Sequence, residues 1–428
     1  MVKPEKMKAT IGLPQAVALY IGAVLGSGVL LVPGLAADMA GPASLLSWGL
    51  MTVFVLPMAL VMGLLSAKYP NTGGVSHFVT KAFGERAGTL VGWFFLMSVP
   101  IGAPVAAITG ATYLTTAIGL GRIGTVAIAI AILLVGLVTN LIGMKMAGKV
   151  QVAVVIAILV VLVMAVIGSV PSMHGSNFTP FLSHGWVSVG RATAILFWCF
   201  IGWEAVSHLS EEFIDPKREA IKGVTIAAMI VGILYFLTAL STIGTRSYGP
   251  TNSAASLVLV IEHLLGKSGA FVAGGTAVFI CTATVIAYVG AASRLAFALS
   301  KNGNAPKSLS LVATKYGTPL GGILFLAICF TIVVALYSTN SVPLTVLIQL
   351  PNATFILTYL GGCAAGIRLL RDSKWSVCIS WISFLLTAII FPFVGWGLFY
   401  PVLIVSVFWM AKNSRKPLPI KLKRRDSV

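Results

Sequence analysis

Charge is scarce in this 428-residue chain, and acid is scarcest: 9% of residues are charged, with 11 Asp and Glu against 29 Lys and Arg. With 58% hydrophobic residues and a mean hydropathy of +0.99, the composition lies beyond that of soluble globular proteins and excludes a soluble multidomain reading. Cysteine is sparse as well. Cys199, Cys281, Cys329, Cys363 and Cys378 fall within apolar segments or at their ends, without the spacing of a disulfide framework or a zinc site, and read as small packing residues. Polar linkers and low-complexity tracts are missing, and the largest pieces between apolar segments are only 68–87, 171–188, 245–268 and 297–318. A sensor built around an extramembrane domain is therefore disfavoured. The five histidines are scattered at 77, 174, 184, 208 and 263, so no nucleophile–base set or metal cluster at membrane depth points to an enzyme. No cofactor is implied. The first apolar stretch is too long for a cleavable signal and is followed by many more.

What is present is a succession of apolar segments, each long enough to cross a hydrocarbon layer of about 30 Å. Spans are expected near 12–36, 42–67, 88–118, 124–143, 150–170, 189–210, 222–244, 269–296, 319–338, 343–367, 375–393 and 395–411. An all-α integral membrane protein of about twelve transmembrane helices follows. With the N-terminus placed inside, the inner loops and tails carry 25 of the 29 Lys and Arg and the outer loops only Arg122, Arg191, Arg246 and Lys267. That asymmetry explains the net charge of +18 by the positive-inside rule rather than by nucleic-acid binding. Both termini are expected in the cytoplasm of a cell whose plasma membrane (the inner membrane, where there are two) holds the chain. The basic tail 412–428 reads as an anchor beside anionic lipid. The segment 75–86 is too short to span and reads as an amphipathic helix on the inner surface, with a similar short helix over 252–266 outside.

Two spans are interrupted by small residues at mid-depth. One reads Ile21-Gly22-Ala23-Val24-Leu25-Gly26-Ser27-Gly28-Val29, with Pro33 expected to end the stretch; the other reads Phe197-Trp198-Cys199-Phe200-Ile201-Gly202-Trp203-Glu204. Lipid cannot satisfy loose backbone, so such breaks survive only where protein lines a cavity. Paired broken helices in matching places of two halves point to the substrate site of a secondary transporter. The breaks lie five spans apart, an odd number, so the second group of five enters from the opposite side. The expected organisation is one transmembrane domain: a first five-helix repeat over 12–170, an inverted second repeat over 189–367, and two further helices over 375–411.

Gly22, Gly26 and Gly28 around Ser27 free amides at a half-helix N-terminus, which suits a carboxylate. The alternative is a close-packing face, since Gly22 and Gly26 are four apart; the partner break favours binding. Carbonyls around Phe200, Ile201 and Gly202 suit an ammonium group. Phe197, Phe200 and Trp203 read either as walls for an apolar side chain, with Phe200 foremost, or as ordinary aromatic packing. Glu204 is the only acid well inside a span and reads as a proton carrier, or as a neutral clasp on unwound backbone. His208, four residues on, shares its helix face as a relay or a structural group. Sodium needs several oxygens; the eighth span offers Thr282, Thr284 and Ser293 without an adjacent hydroxyl pair, so protons are the favoured partner. Tyr288 and Gln349-Leu350-Pro351-Asn352, taken as an interruption of the tenth span, are further polar groups at depth, and Pro100 and Pro104 are expected to bend the third.

Gly26-Ser27-Gly28-Val29 with Pro33, Phe200-Ile201-Gly202-Trp203-Glu204, Asp215-Pro216-Lys217-Arg218 and Arg294 with Gly303 and Pro306 resemble the amino acid-polyamine-organocation superfamily over essentially the whole chain. The pattern Phe197-Trp198-Cys199-Phe200, Glu204-Ala205, His208-Leu209 and Glu212-Phe213 is similar to bacterial exporters of methionine and branched-chain amino acids, as are Pro70, Gly73-Gly74-Val75 and His77-Phe78-Val79. The resemblance implies a LeuT-like 5+5 inverted-repeat fold with discontinuous first and sixth helices and alternating access. It implies that the Ser27 and Gly28 amides hold a substrate carboxylate, that carbonyls near Phe200 and Ile201 hold its amine, and that Glu204 answers to pH or substrate. The fifth-span lysine of some relatives is absent from 152–163. Export of small neutral apolar L-amino acids against protons is the expected function, with import or exchange on the same fold as the alternative.

Overall fold

Backbone shielded from water must hydrogen-bond to itself, and a helix does so within one segment. The computed structural model describes residues 12–69, 74–143, 148–203, 214–249 and 253–413. Among these the fold is all-α, apart from one isolated bridge between Ala313 and Thr318. The helices are α1 (Leu13–Val24), α2 (Gly28–Ala40), α3 (Ser44–Lys68), α4 (Gly74–Phe83), α5 (Glu85–Ile118), α6 (Arg122–Ile142) and α7 (Gly148–Ser169). They continue as α8 (Gly185–Leu196), α9 (Pro216–Gly244), α10 (Ser256–Lys301), α11 (Leu320–Ser338), α12 (Leu344–Leu369), α13 (Lys374–Ile390) and α14 (Phe399–Asn413). Among the described residues, nine stretches are long and apolar enough to cross a bilayer. The expected spans 88–118, 124–143, 319–338 and 343–367 coincide with α5, α6, α11 and α12 to within a few residues.

Proline behaves differently from expectation in two places. Pro33 does not end its stretch but sits inside α2; the chain turns instead at Gly41, whose φ of 59° is open to glycine, and Pro42 follows. Pro351 likewise does not interrupt the tenth span, since α12 runs through it. Beside it, Asn352 Nδ2 donates to the Ala194 carbonyl at 2.6 Å and ties α12 to the end of α8. The third span also continues through Pro100 and Pro104 as one 34-residue helix.

The short amphipathic segment forms as α4, but its apolar residues Val75, Phe78, Val79 and Ala82 are buried in the bundle. Val75 and Val79 fit against the bare backbone of Gly362 and Gly361 in α12. Burial and the nearby Lys81 ammonium push the His77 pKa down. The expected outer helix is the first part of α10, set off from the rest by Gly266 at φ 63°.

Two apolar cores result. One joins α1–α4, α7–α9 and α12 with parts of α5 and α10; the other fills the space between α6, α11 and the remaining parts of α5 and α10. Tight crossings use missing side chains, as membrane helices do when dispersion and close approach drive packing. A Cβ on Gly110 of α5 would stand 2.8 Å from that of Cys281 on α10, and one on Gly232 of α9 would meet Thr52 of α3 at 2.5 Å.

The motif Asp215-Pro216-Lys217-Arg218 is a helix start. Asp215 accepts from the Arg218 amide at 3.1 Å, Glu219 Oε2 accepts from the Asp215 amide at 3.0 Å, and Pro216 opens the first turn. Asp215→Ala should cost about 1 kcal/mol, the usual worth of an N-cap, read as a lower thermal unfolding midpoint. An unchanged midpoint would mean that the cap does not hold α9.

Candidate functional site

The chain leaves the α-helix at both expected interruptions. α1 stops at Val24, where Leu25 turns extended (φ −69°, ψ 102°), and α2 restarts at Gly28 behind Ser27. The Ser27 hydroxyl does not cap α2, so its first-turn amides have no side-chain acceptor there. In the second break α8 gives way to a 3-10 turn over Phe197–Phe200, then to extended Ile201 and to Gly202 at φ 123°.

The two breaks touch. A Cβ on Gly202 would lie 2.3 Å from the Ala23 carbonyl oxygen, and one on Gly28 would lie 3.2 Å from Cys199 Cα and 3.0 Å from the Trp198 ring. Glycine is required at 202 twice over, by its left-handed backbone and by this contact. Two phenols then take up loose backbone. The Tyr235 hydroxyl of α9 lies 3.3 Å from the Val24 carbonyl and 3.2 Å from that of Cys199. It has one proton to share between an acceptor from each break. From the other side, the Tyr359 oxygen of α12 accepts from the Gly202 amide at 3.0 Å and the Trp203 amide at 3.2 Å.

The rings separate into different neighbourhoods. Phe200 packs against Trp48 and Tyr235, Phe197 against Tyr359, and Trp203 against Tyr20. Phe200, foremost in the sequence reading, thus faces α3 and α9. The ring that reaches across to the first break is Trp198, which fills the space over Gly28 and Gly102 and meets Tyr288 of α10 and Phe355 of α12 edge-on at 6.5 and 5.8 Å. Sequence reasoning passed over Trp198 because all four residues Phe197–Phe200 are apolar, and a 3-10 turn advances each residue by about 120° rather than 100°. Tyr235 and Tyr359 were missed too. A lone tyrosine in an apolar helix carries no local signal of which backbone it will serve.

Of the other expected site residues, Gly26 and Ser27 lie in the first break, and Gly22 lies within α1. Gly26 and Tyr288 are half-buried, whereas Ser27, Phe197, Phe200 and Trp203 are buried. Thr284 of α10 stands opposite Gly26, while Ser293 belongs to the α10–α11 contact at Gly322. Glu204 and His208 fall outside the described residues. Among the described residues the one buried charged side chain is Glu219, in the first turn of α9. The surroundings of the breaks are therefore apolar rings, glycine backbone and phenol hydroxyls. They offer a neutral environment with amides at one helix start and carbonyls at one helix end. The free cysteines form no disulfide.

A family model described as amino acid permease matches residues 11–417. The chain is 34% identical over 405 residues, 94% of its length and 95% of the relative's, to the uncharacterized amino acid permease YecA of Bacillus subtilis. It is 29% identical over 423 residues to the L-methionine/branched-chain amino acid exporter YjeH of Escherichia coli, covering 96% of this chain and 97% of that one. To the branched-chain amino acid permease BcaP of Bacillus subtilis it is 26% identical over 338 residues, 74% of this chain and 72% of the relative.

The contact between the breaks yields a paired prediction. Gly202→Ala should strain the backbone and push on the Ala23 carbonyl, lowering thermal stability by roughly 1–3 kcal/mol. Tyr235→Phe should keep the fold at a cost of about 1 kcal/mol, one net hydrogen bond. Equal stability of Gly202→Ala and the unmodified chain would show that the close approach is not maintained.

Proposed function

The chain belongs to the amino acid permease family of the amino acid-polyamine-organocation superfamily, and from that premise we propose that it exports neutral apolar L-amino acids, methionine, leucine, isoleucine and valine, in exchange for protons. It is a multi-pass membrane protein and not an enzyme. The observation that carries the substrate class is the neighbourhood of the two breaks, where among the described residues no charged side chain is buried beside them. A zwitterion brings its own two charges to a helix start and a helix end. A cationic or anionic side chain would find no counter-charge there. The substrates named for YjeH of Escherichia coli and BcaP of Bacillus subtilis belong to the same chemical set.

In this reading α1 with α2 is one discontinuous span and α8 with its 3-10 turn begins another. The twelve spans run through α3, α5, α6, α7 and α9 to α14, with both termini on the basic-loop side, in the plasma membrane. The 5+5 inverted repeat gains support from packing. Four of the five pairs of spans five apart meet: the two breaks together, α3 with α9, α5 with α10 and, less closely, α6 with α11. Two repeats related by an axis in the membrane plane are expected to meet in that way.

The carboxylate is assigned to the Ser27 and Gly28 amides, near Gly22 and Gly26. The ammonium is assigned to carbonyls of Phe200 and Ile201, and the side chain to a wall containing Trp198 and Tyr288, with Phe197, Phe200, Gly202 and Trp203 shaping the turn. In the structure the breaks are packed on each other, so binding requires α1–α2 and the segment around 197–203 to separate, and alternating access provides that motion. Glu204 is assigned the exchanged proton and His208 a relay. Import or exchange uses the same site and differs only in the gradients, since direction is a matter of thermodynamics.

Vesicles loaded with labelled methionine, leucine or arginine test this. Efflux of methionine and leucine, faster with an inward proton gradient, is expected; efflux of arginine alone would overturn the substrate class. Glu204→Gln should remove the pH dependence, and a wild-type pH profile in that variant would take the proton role from Glu204. Trp198→Ala should raise the apparent KM at least tenfold, about the worth of one large buried ring contact.

A further inference from the structure

Where the last turn of α12 meets α4 and α13, a surface cavity of about 380 Å³ opens between Phe83, Ile367, Arg368, Arg371, Trp381 and Phe384. It belongs to a different region from the breaks: Arg368 lies nine residues beyond Tyr359, about 13 Å along the helix. Its chemistry changes with depth. Arg368 and Arg371 stand at the helix end and the following turn, while Trp381, seven residues into α13, lies about 10 Å further in and Phe384 about 15 Å.

The cationic end is free for a ligand. The Arg368 guanidinium rests over the Phe83 ring at 5.5 Å, which orients it without neutralising it. Arg371 forms no hydrogen bond or ion pair among the described residues, and the adjacent acid, Asp372, is engaged by Lys68. Lys374 adds a third exposed cation. The inner end is apolar and open sideways. Trp381 is 48% exposed, and Ile382, Leu385 and Ile389 continue an exposed apolar surface along α13. A soluble anion would leave that aromatic floor unused, and a neutral lipid would leave the arginines unanswered.

We propose that this groove binds an anionic phospholipid of the leaflet facing the basic loops, its phosphate between Arg368 and Arg371 and an acyl chain along Trp381 and Phe384. Basic pockets between membrane helices hold such headgroups by charge, and an indole at this depth suits the interface. The inference rests on the chain being a membrane protein and on nothing about its substrate.

The purified full-length protein is tested by native mass spectrometry with dioleoylphosphatidylglycerol, dioleoylphosphatidylcholine and inorganic phosphate. Phosphatidylglycerol should be retained about tenfold over phosphatidylcholine, and Arg368→Gln with Arg371→Gln should lose about that factor. Arg368→Lys with Arg371→Lys should retain most of it, and millimolar phosphate should not displace the lipid. Phosphatidylglycerol with brominated acyl chains should quench tryptophan fluorescence, less so in Trp381→Phe. Equal retention of the two lipids, an unaffected glutamine pair, displacement by phosphate, or quenching unchanged in Trp381→Phe would each overturn the proposal. The Lys pair and Trp381→Phe keep the test decisive if the glutamine pair does not fold. Transport is not the readout, so a wrong substrate assignment leaves the result standing.

Discussion

Unwound backbone inside an apolar bundle must find partners, and this requirement organises the centre of the protein. Each unmade hydrogen bond away from water costs about 1–3 kcal/mol, so two broken helices left alone would be a heavy burden on a marginally stable chain. The fold answers by bringing the breaks together and giving them phenols. Tyr235 serves a carbonyl from each break, and Tyr359 serves two successive amides of the second. Gly202 is what allows the approach, because any side chain there would enter the Ala23 carbonyl.

That way of holding the breaks has consequences for motion. Hydrogen bonds of 3.0–3.3 Å from side chains on α9 and α12 are individually modest and reversible. They keep the loose segments in register without welding them. The second core, between α6, α11 and one stretch each of α5 and α10, is closed by glycine-mediated contacts such as Gly136 with Val285. A permease that alternates access needs one part that keeps its shape and another that moves against it. The breaks lie in the first core, and α5 and α10 run through both.

The periphery follows a different rule. Among the described residues charge is nearly excluded from the interior and concentrated at helix ends and turns, where it meets rings more often than acids: Lys81 over Tyr69, Arg122 over Tyr337, Arg368 over Phe83. With 29 basic side chains and 11 acidic ones in the whole chain, most cations cannot be paired within the protein. Aromatic faces, backbone carbonyls, water and lipid headgroups are the partners left, and a groove with two arginines above two rings reads as a place for an anionic lipid.

Much of this was legible in the residues themselves. Length and hydropathy of each segment determined that it would be a helix in a bilayer, because lipid offers the backbone no other satisfied conformation. Glycines at 28 and 202 marked both breaks, because a side chain at either would press on the facing break. Local rules failed where a neighbour decided the outcome. Pro33 and Pro351 were read as interruptions, yet surrounding helices let α2 and α12 pass through them. Phe200 outranked Trp198 in the linear pattern, but the 3-10 turn and the facing helices sent Phe200 toward α3 and α9 and Trp198 across Gly28. The roles of Tyr235 and Tyr359 existed only once helices distant in sequence were packed side by side. Sequence alone determined which segments form long apolar helices and where the chain loosens, since those depend on side chains and solvent. Which groups satisfy the loosened backbone was decided by tertiary structure, since a hydrogen bond needs its partner within about 3 Å.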